Sequence, residues 1–386
     1  MFNKIPKNYF LALATFIGYI VGVGMFGLPF IMSKSGVLPF VLLLIGILLI
    51  QYVIHLIYAN VIIATDTYHQ LPGYAGIYLG RTGKYVVFVA NLFSNIGALI
   101  AYIIVNGKFL SQLLAPYYGG SEFFYATLIF ALEAFVVYYG MKMVAKTEIV
   151  MMTALFVAIG MITWHGLPII KAENYLVIDW RYLLLPYGAM FFSLDGSGCL
   201  PVLAKLLNKD KAAMKSVIRY GLGISALILF SFVMVIVGIS GSTTTDDALT
   251  GVKFILDNSV VFFALIFGIL AIITSFLGLA ESMEKILSWD FKINRKLAWA
   301  ITVFVPYILY AMGINNLVVI ISFVGAIGGG LGGIILVLIF LKMEKMKNKL
   351  PIFNKLKPSK KITSFLIFTF ITGMVFELYY KLFGKF

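Results

Sequence analysis

Stretches of about 20 apolar residues, the length a helix needs to cross hydrocarbon, recur along almost the whole chain. In the bilayer core no water is present, so every backbone N–H and C=O must be paired within the protein, which leaves α-helices or a closed β-barrel. A barrel would need strands of about 10 residues with alternating polarity. The runs here are longer and apolar on every face. With 61% hydrophobic and 12% charged residues, the chain is expected to be an all-α integral membrane protein. About eleven spans are placed near 9–32, 36–63, 85–115, 122–140, 147–165, 183–206, 213–240, 258–288, 296–313, 315–341 and 362–384. The basic start "MFNKIPKNYF" is followed by no small-residue cleavage site, so it is expected to remain in the mature chain.

A net charge of +14 raises the question of nucleic acid, and its distribution answers it. With the N-terminus inside, most Lys and Arg fall on one face: Lys4 and Lys7, Arg81 and Lys84, Lys142 and Lys146, Lys205 to Arg219, Lys285 to Lys296, and the stretch 342–361. The positive-inside rule then gives a cytoplasmic N-terminus, an external C-terminus and a basic cytoplasmic loop against anionic lipid, with no nucleic-acid partner. The expected location is the cell membrane. The single cysteine, Cys199, excludes a disulfide framework, and no Cys/His spacing suits a metal.

Two spans carry helix breakers at mid-membrane. In "GYIVGVGMFGLPF" these are Gly18, Gly22, Gly24, Gly27 and Pro29; in "LLLPYGAMFFSLDGSGCLPVLAKLL" they are Gly196, Gly198 and Pro201. The first spells G-x-G-x-x-G, but its flanks are not those of a βαβ unit. Both breaks end in Leu-Pro, five spans apart. Interrupted helices at matching positions of two five-span halves signal an inverted-repeat transporter, with halves at 9–165 and 183–341, then the loop 342–361 and an extra helix 362–384, all in one domain over 1–386. Unwound backbone survives in a membrane only where it is buried or lines a wet cavity, so a bound solute is the expected partner of the freed groups. Substrate contacts are therefore placed at Gly22, Gly24, Met25, Phe26 and Gly27 in the first break and at Phe192, Ser193, Asp195, Gly196 and Gly198 in the second.

The segments "IGYIVGVGMFGLPFIMSKSG", "HQLPGYAGIYLGRTGKY", "LPYGAMFFSLDGSGCLP", "GISGSTTTDDALTGV" and "TSFLGLAESMEKILSWDFKINR" resemble, in order and spacing, amino acid permeases. The group is the amino acid/auxin permease and aromatic amino acid permease branch of the amino acid, polyamine and organocation superfamily, and the likeness covers roughly residues 9–340. It implies the LeuT-like 5+5 inverted repeat with broken helices 1 and 6, and amino acid import coupled to Na+ or H+, with no other cofactor. The chain departs from its relatives at Asp195, where they carry a small residue, and at Val202, where many carry an acid.

In the eighth span, Ala271, Thr274 and Ser275 are similar in A-x-x-T-S spacing to the sodium site of sodium-coupled LeuT-fold transporters, whose partner carbonyls correspond to Gly18 and Val21. The alternative is that both hydroxyls bond back to their own helix. The fifth span lacks the buried lysine that some proton-coupled relatives place there. Asp195 is costly at mid-membrane; it marks a pathway, or caps the second half-helix. Asn91, Ser94, Asn95 and Tyr102 share roughly one face of the third span, which lines the pocket in this fold, so Asn95 and Tyr102 are taken as substrate contacts. Asn106 lies on the same span. Glu281 is placed at a gate, with a salt-bridged acid as the alternative. Glu133 and His55 have no visible partner and are read as structural, and the run Gly325 to Gly333 as a packing or bending device.

An enzyme would need a nucleophile and base or metal ligands clustered in the membrane, and the three His offer none. ATP-driven transport fails for want of a P-loop: "GRTGKY" has Tyr85 where the magnesium-binding hydroxyl belongs. The expected partners are an amino acid and lipid, the expected state a monomer. A non-transporting amino acid sensor on the same scaffold is the rival function.

Overall fold

The structure, a computed structural model, describes residues 8–139, 144–253, 255–347 and 359–383. Lys4, Lys7, Lys142 and the part of the basic loop at 348–358 lie outside the described residues. Fifteen α-helices carry the chain: α1 Tyr9–Ile20, α2 Gly24–Ser35, α3 Val37–Ala64, α4 Leu71–Tyr118, α5 Glu122–Tyr139, α6 Val144–Gly166, α7 Pro186–Ser193, α8 Leu200–Leu206, α9 Lys211–Ser240, α10 Leu249–Val252, α11 Asn258–Lys285, α12 Arg295–Ala311, α13 Leu317–Phe323, α14 Gly330–Lys347 and α15 Lys360–Phe383. Among the described residues eight helices are long and apolar enough to cross a membrane, or nine when α1 and α2, bent by 52°, count as one span. The segments expected at 147–165 and 296–313 are also helical but stand outside that count, α12 having 17 residues and α6 contributing a shorter apolar stretch, Phe156–Ile169.

Large apolar side chains such as Leu42, Leu49, Phe135, Leu227 and Phe368 are exposed, each more than half. On a chain of this composition they form the surface that lipid covers. The interior gathers the broken helices, with α2 against α7, α9 and α13, and α1 against α9.

Helix α4 is longer than expected, 48 residues beginning at Leu71 rather than near residue 85. The sequence reading missed the part before Gly80, where φ of 78° interrupts the helix in the left-handed region that glycine tolerates. The first break is also shorter than the glycine pattern implied. Only Val21 to Val23 leave the helix; Gly27 and Pro29 lie inside α2. The glycine run of the tenth span forms a π-helical turn, Val324–Gly329, that lies against α7, in agreement with a packing device.

Candidate functional site

At the first break the hydrogen-bond ladder is rerouted. The Gly22 N–H donates to Ile20 O at 2.9 Å and the Met25 N–H to Gly22 O at 3.2 Å. In a continuous helix these donors would serve the carbonyls of Gly18 and Val21. Those two oxygens thus lose their helical partners while α2 starts afresh at Gly24, its Met25 and Phe26 N–H groups closing tight i→i−3 bonds onto Gly22 O and Val23 O at 3.2 Å each.

The second break is repaired by side chains. The Leu194 N–H donates to Met190 O at 3.0 Å and the Asp195 N–H to Phe192 O at 3.4 Å, which leaves Phe191 O without its helical donor and Gly196 N–H without its acceptor. Helix α3 supplies both. Gln51 Nε2 donates to Phe191 O at 3.1 Å, and Gly196 N–H donates to His55 Nε2 at 2.9 Å. Because Nε2 accepts, the proton of the neutral ring sits on Nδ1, which donates to Gln51 O. Both side chains are buried. Asp195 accepts from the Ser197 N–H at 2.9 Å, with the oxygen that does so 4.0 Å from His55 Nε2. Its carboxylate is 47% exposed, so it caps the turn and still faces open space.

That space is a cavity of about 150 Å³ between the two breaks. Gly18, Gly22, Gly24, Asn95, Tyr102, Phe192, Ser193, Asp195, Thr274 and Ser275 line it, joined by Tyr19, Ile20, Ser94 and Phe191. At its floor the breaks nearly touch: a Cβ on Gly24 would lie 2.3 Å from Ser193 Oγ and 3.0 Å from the Ser193 Cα. A second cavity shares Tyr19, Ser94, Asn95, Phe191 and Asp195 with the first and continues past Gly198 to Gln70, Ser282 and Ile286, at the face where α3 passes to α4. The opposite direction is shut. The Phe26 ring packs edge-on against Phe109 and Phe232, centroids 5.0 and 5.9 Å away, and beyond it Lys108 Nζ donates to both oxygens of Asp246 at 2.7 Å.

A pocket between two broken helices in an all-helical bundle is a carrier's architecture, and comparison with known proteins agrees. The profile of the Tryptophan/tyrosine permease family matches residues 6–377. The chain belongs to this family. It is 25% identical over 318 residues to the tyrosine-specific transport system 1 of Haemophilus influenzae, covering 76% of this chain and 78% of that one. Among solved structures it is similar to MhsT in complex with L-phenylalanine, with a TM-score of 0.71, 15% identity and 98% of each chain covered. That likeness fixes the LeuT-like fold, and the family is one of permeases rather than enzymes.

The permease brings together most of the residues singled out in the sequence. Met25, Phe26, Gly27 and Gly196 do not line the cavity: Met25 is fully buried, Phe26 is turned to Phe109 and Phe232, a Cβ on Gly27 would meet Ile321, and Gly196 backs onto Phe16. Val21 and Ala271 are likewise absent from the lining. Thr274 Oγ1 and Ser275 Oγ both donate to Ala271 O, at 2.9 and 3.0 Å, and both residues line the cavity. Glu281 pairs with Lys285 at 2.6 Å, one turn along its own helix, next to Ser282 at the mouth. Two expectations are corrected. His55 has partners on both ring nitrogens, and Glu133 accepts from Asn106 Nδ2 at 2.8 Å. Sequence reasoning missed Gln51, His55 and Tyr19. The available signal was a pair of polar residues four apart, Gln51 and His55, inside an otherwise apolar span.

Proposed function

We propose that this permease imports an aromatic amino acid by alternating access, driven by a Na+ or H+ gradient across the cell membrane, with its N-terminus in the cytoplasm. The observation that carries the reading is the cavity in which both breaks, the Asp195 carboxylate and the rings of Tyr19, Tyr102, Phe191 and Phe192 meet. The zwitterion finds complementary ends there. The α2 N-terminus at Gly24 offers its first N–H and a positive dipole end to the carboxylate, Asp195 receives the ammonium, and the four rings flank the side chain. The family profile, the tyrosine-specific relative and the phenylalanine complex of MhsT support an aromatic substrate.

The carbonyls of Gly18 and Val21, with Ala271 O and the Thr274 and Ser275 hydroxyls, form the proposed cation site, and Glu281 with Lys285 the proposed inner gate. The halves 9–165 and 183–341 act as the two inverted repeats, 342–361 lies on the cytoplasmic surface, and a single protomer suffices. The test is uptake of radiolabelled L-tyrosine, L-tryptophan and L-phenylalanine into proteoliposomes under Na+ and H+ gradients imposed separately. Accumulation of one of them above equilibrium under either gradient is expected. Binding without any accumulation would reject the carrier in favour of a sensor.

A further inference from the structure

Outside the cavity, between α4 and α5, a second polar pair lies in the membrane interior. Asn106 and Glu133 are both 0% exposed. Asn106 Nδ2 donates to Glu133 Oε1 at 2.8 Å, while Asn106 Oδ1 and Glu133 Oε2 have no hydrogen-bond partner among the described residues. Two buried oxygens left over on two planar groups already joined by one bond form a definite pattern. Two acceptors cannot satisfy each other, and each buried polar atom left unpaired is destabilising. One proton resolves both: placed on Oε2, it turns the carboxylate into an acid whose O–H donates to Asn106 Oδ1 and closes an eight-membered amide–acid ring.

From this geometry we propose that Glu133 and Asn106 form a proton-binding site and that the proton held there is the ion coupled to substrate movement. The inference rests on the carrier reading above and deepens it by naming the ion. Asn106 lies one helical turn beyond Tyr102, which lines the cavity, and one turn before Phe109 on the closed side. Loading takes H+ from water onto Glu133 Oε2, and release returns it to water on the other face. No other bond is made or broken. A charge on Glu133 has no ion-pair partner among the described residues. On the helices packed against α4 and α5, Tyr307 of α12 is bound to Thr127 and the Trp299 indole to Ala134 O, and the apolar Gly268 of α11 lies against Phe109. A bare carboxylate there is unstable against opening of α4 from α5, so the site carries its charge only when a rearrangement lets water in.

The test uses the full-length protein and Glu133→Gln, whose amide closes the same ring with no titrating group and so preserves the fold. Infrared spectra of purified protein at neutral pH are expected to contain the carbonyl band of a protonated carboxylic acid that is lost in Glu133→Gln and displaced in Asn106→Leu. In proteoliposomes, pH-gradient-driven accumulation of L-tyrosine is expected to fall about tenfold in Glu133→Gln while equilibrium exchange of L-tyrosine persists. A wild-type spectrum without that band overturns the proposal, as does undiminished accumulation in the variant. If the wild-type protein moves no amino acid, the carrier reading fails, and the infrared band still decides whether the proton is there.

Discussion

The backbone N–H of Gly196 donates to Nε2 of His55 across 2.9 Å, and this bond, with Gln51 to Phe191 O one turn away, replaces the two helical bonds that the second break gives up. The breaks are therefore unequal. Helix α3 splints the second with its own side chains, whereas at the first the carbonyls of Gly18 and Val21 lack their helical donors. Removing the splint leaves a buried donor unpaired at about 1–3 kcal/mol. His55→Leu is expected to raise KM for uptake roughly tenfold with expression retained, and His55→Gln, which keeps a neutral acceptor, to restore most of it. Cys199, the single cysteine, is 5% exposed just past the break, so its alkylation rate reports the same loosening without any substrate. Unchanged labelling in His55→Leu would contradict the splint.

The close approach of the breaks makes a second expectation. A Cβ at Gly24 would stand 2.3 Å from Ser193 Oγ and 3.0 Å from its Cα, a clash that moving the hydroxyl alone does not relieve. Overpacking of this kind costs about 1–3 kcal/mol. Gly24→Ala is expected to lower binding of L-tyrosine about tenfold by isothermal titration, and Ser193→Gly in the same chain to recover part of the loss. Additive losses in the double variant would show that the two positions do not share this contact.

What was legible in the sequence and what was not divides along chain distance. Breaks and spans are local: Gly22 and Gly24, Gly196 and Gly198, and apolar runs between charged ends write themselves into a short window, because glycine and the bilayer act on neighbouring residues. The partners of freed backbone groups are not local. His55 meets Gly196 141 positions on, and Gln51 meets Phe191 140 positions on; nothing at either end of such a pair marks the other. The pair Asn106 and Glu133, 27 positions apart, was invisible for the same reason, as was the place where the first break ends. Its shortness depends on α2 packing against α7, α9 and α13, which lets the helix resume at Gly24 despite Pro29.

The closed side gives a conformational prediction. Lys108 donates to both Asp246 oxygens, and Gln112 donates to Asp247 and Thr250, so the α9–α11 connection is fastened to the C-terminal part of α4. Both charges of the ion pair are partly buried, at 18% and 32% exposure, so it is screened less than a surface pair. Asp246→Asn is expected to shift the resting population toward opening on that side. In a chain with Cys199→Ser and Phe109→Cys, the added Asp246→Asn should speed alkylation of position 109 by an impermeant reagent applied to that face several-fold, and Lys108→Gln should do the same. Equal rates with and without these changes would mean that the Phe26, Phe109 and Phe232 cluster alone holds the face closed.

Asp195 is both a cap and a lining residue, and the two roles separate in one substitution. Asparagine at this position still accepts from the Ser197 N–H, as Asp195 Oδ1 does at 2.9 Å, because its amide oxygen has the same reach. The turn stays capped and the break keeps its splint from His55 and Gln51. What Asp195→Asn removes is the negative charge that is 47% exposed to the cavity. A charge-assisted bond to a ligand ammonium is about twice as strong as its neutral counterpart, so KM for L-tyrosine is expected to rise about tenfold, with Cys199 protection unchanged. Competition by amines that lack the substrate carboxylate should weaken in parallel, while competition by carboxylates that lack the amine should hold or strengthen, since repulsion from Asp195 is gone. Unchanged KM together with an unchanged competitor order would reduce Asp195 to its cap and move the ammonium to the carbonyls of the first break.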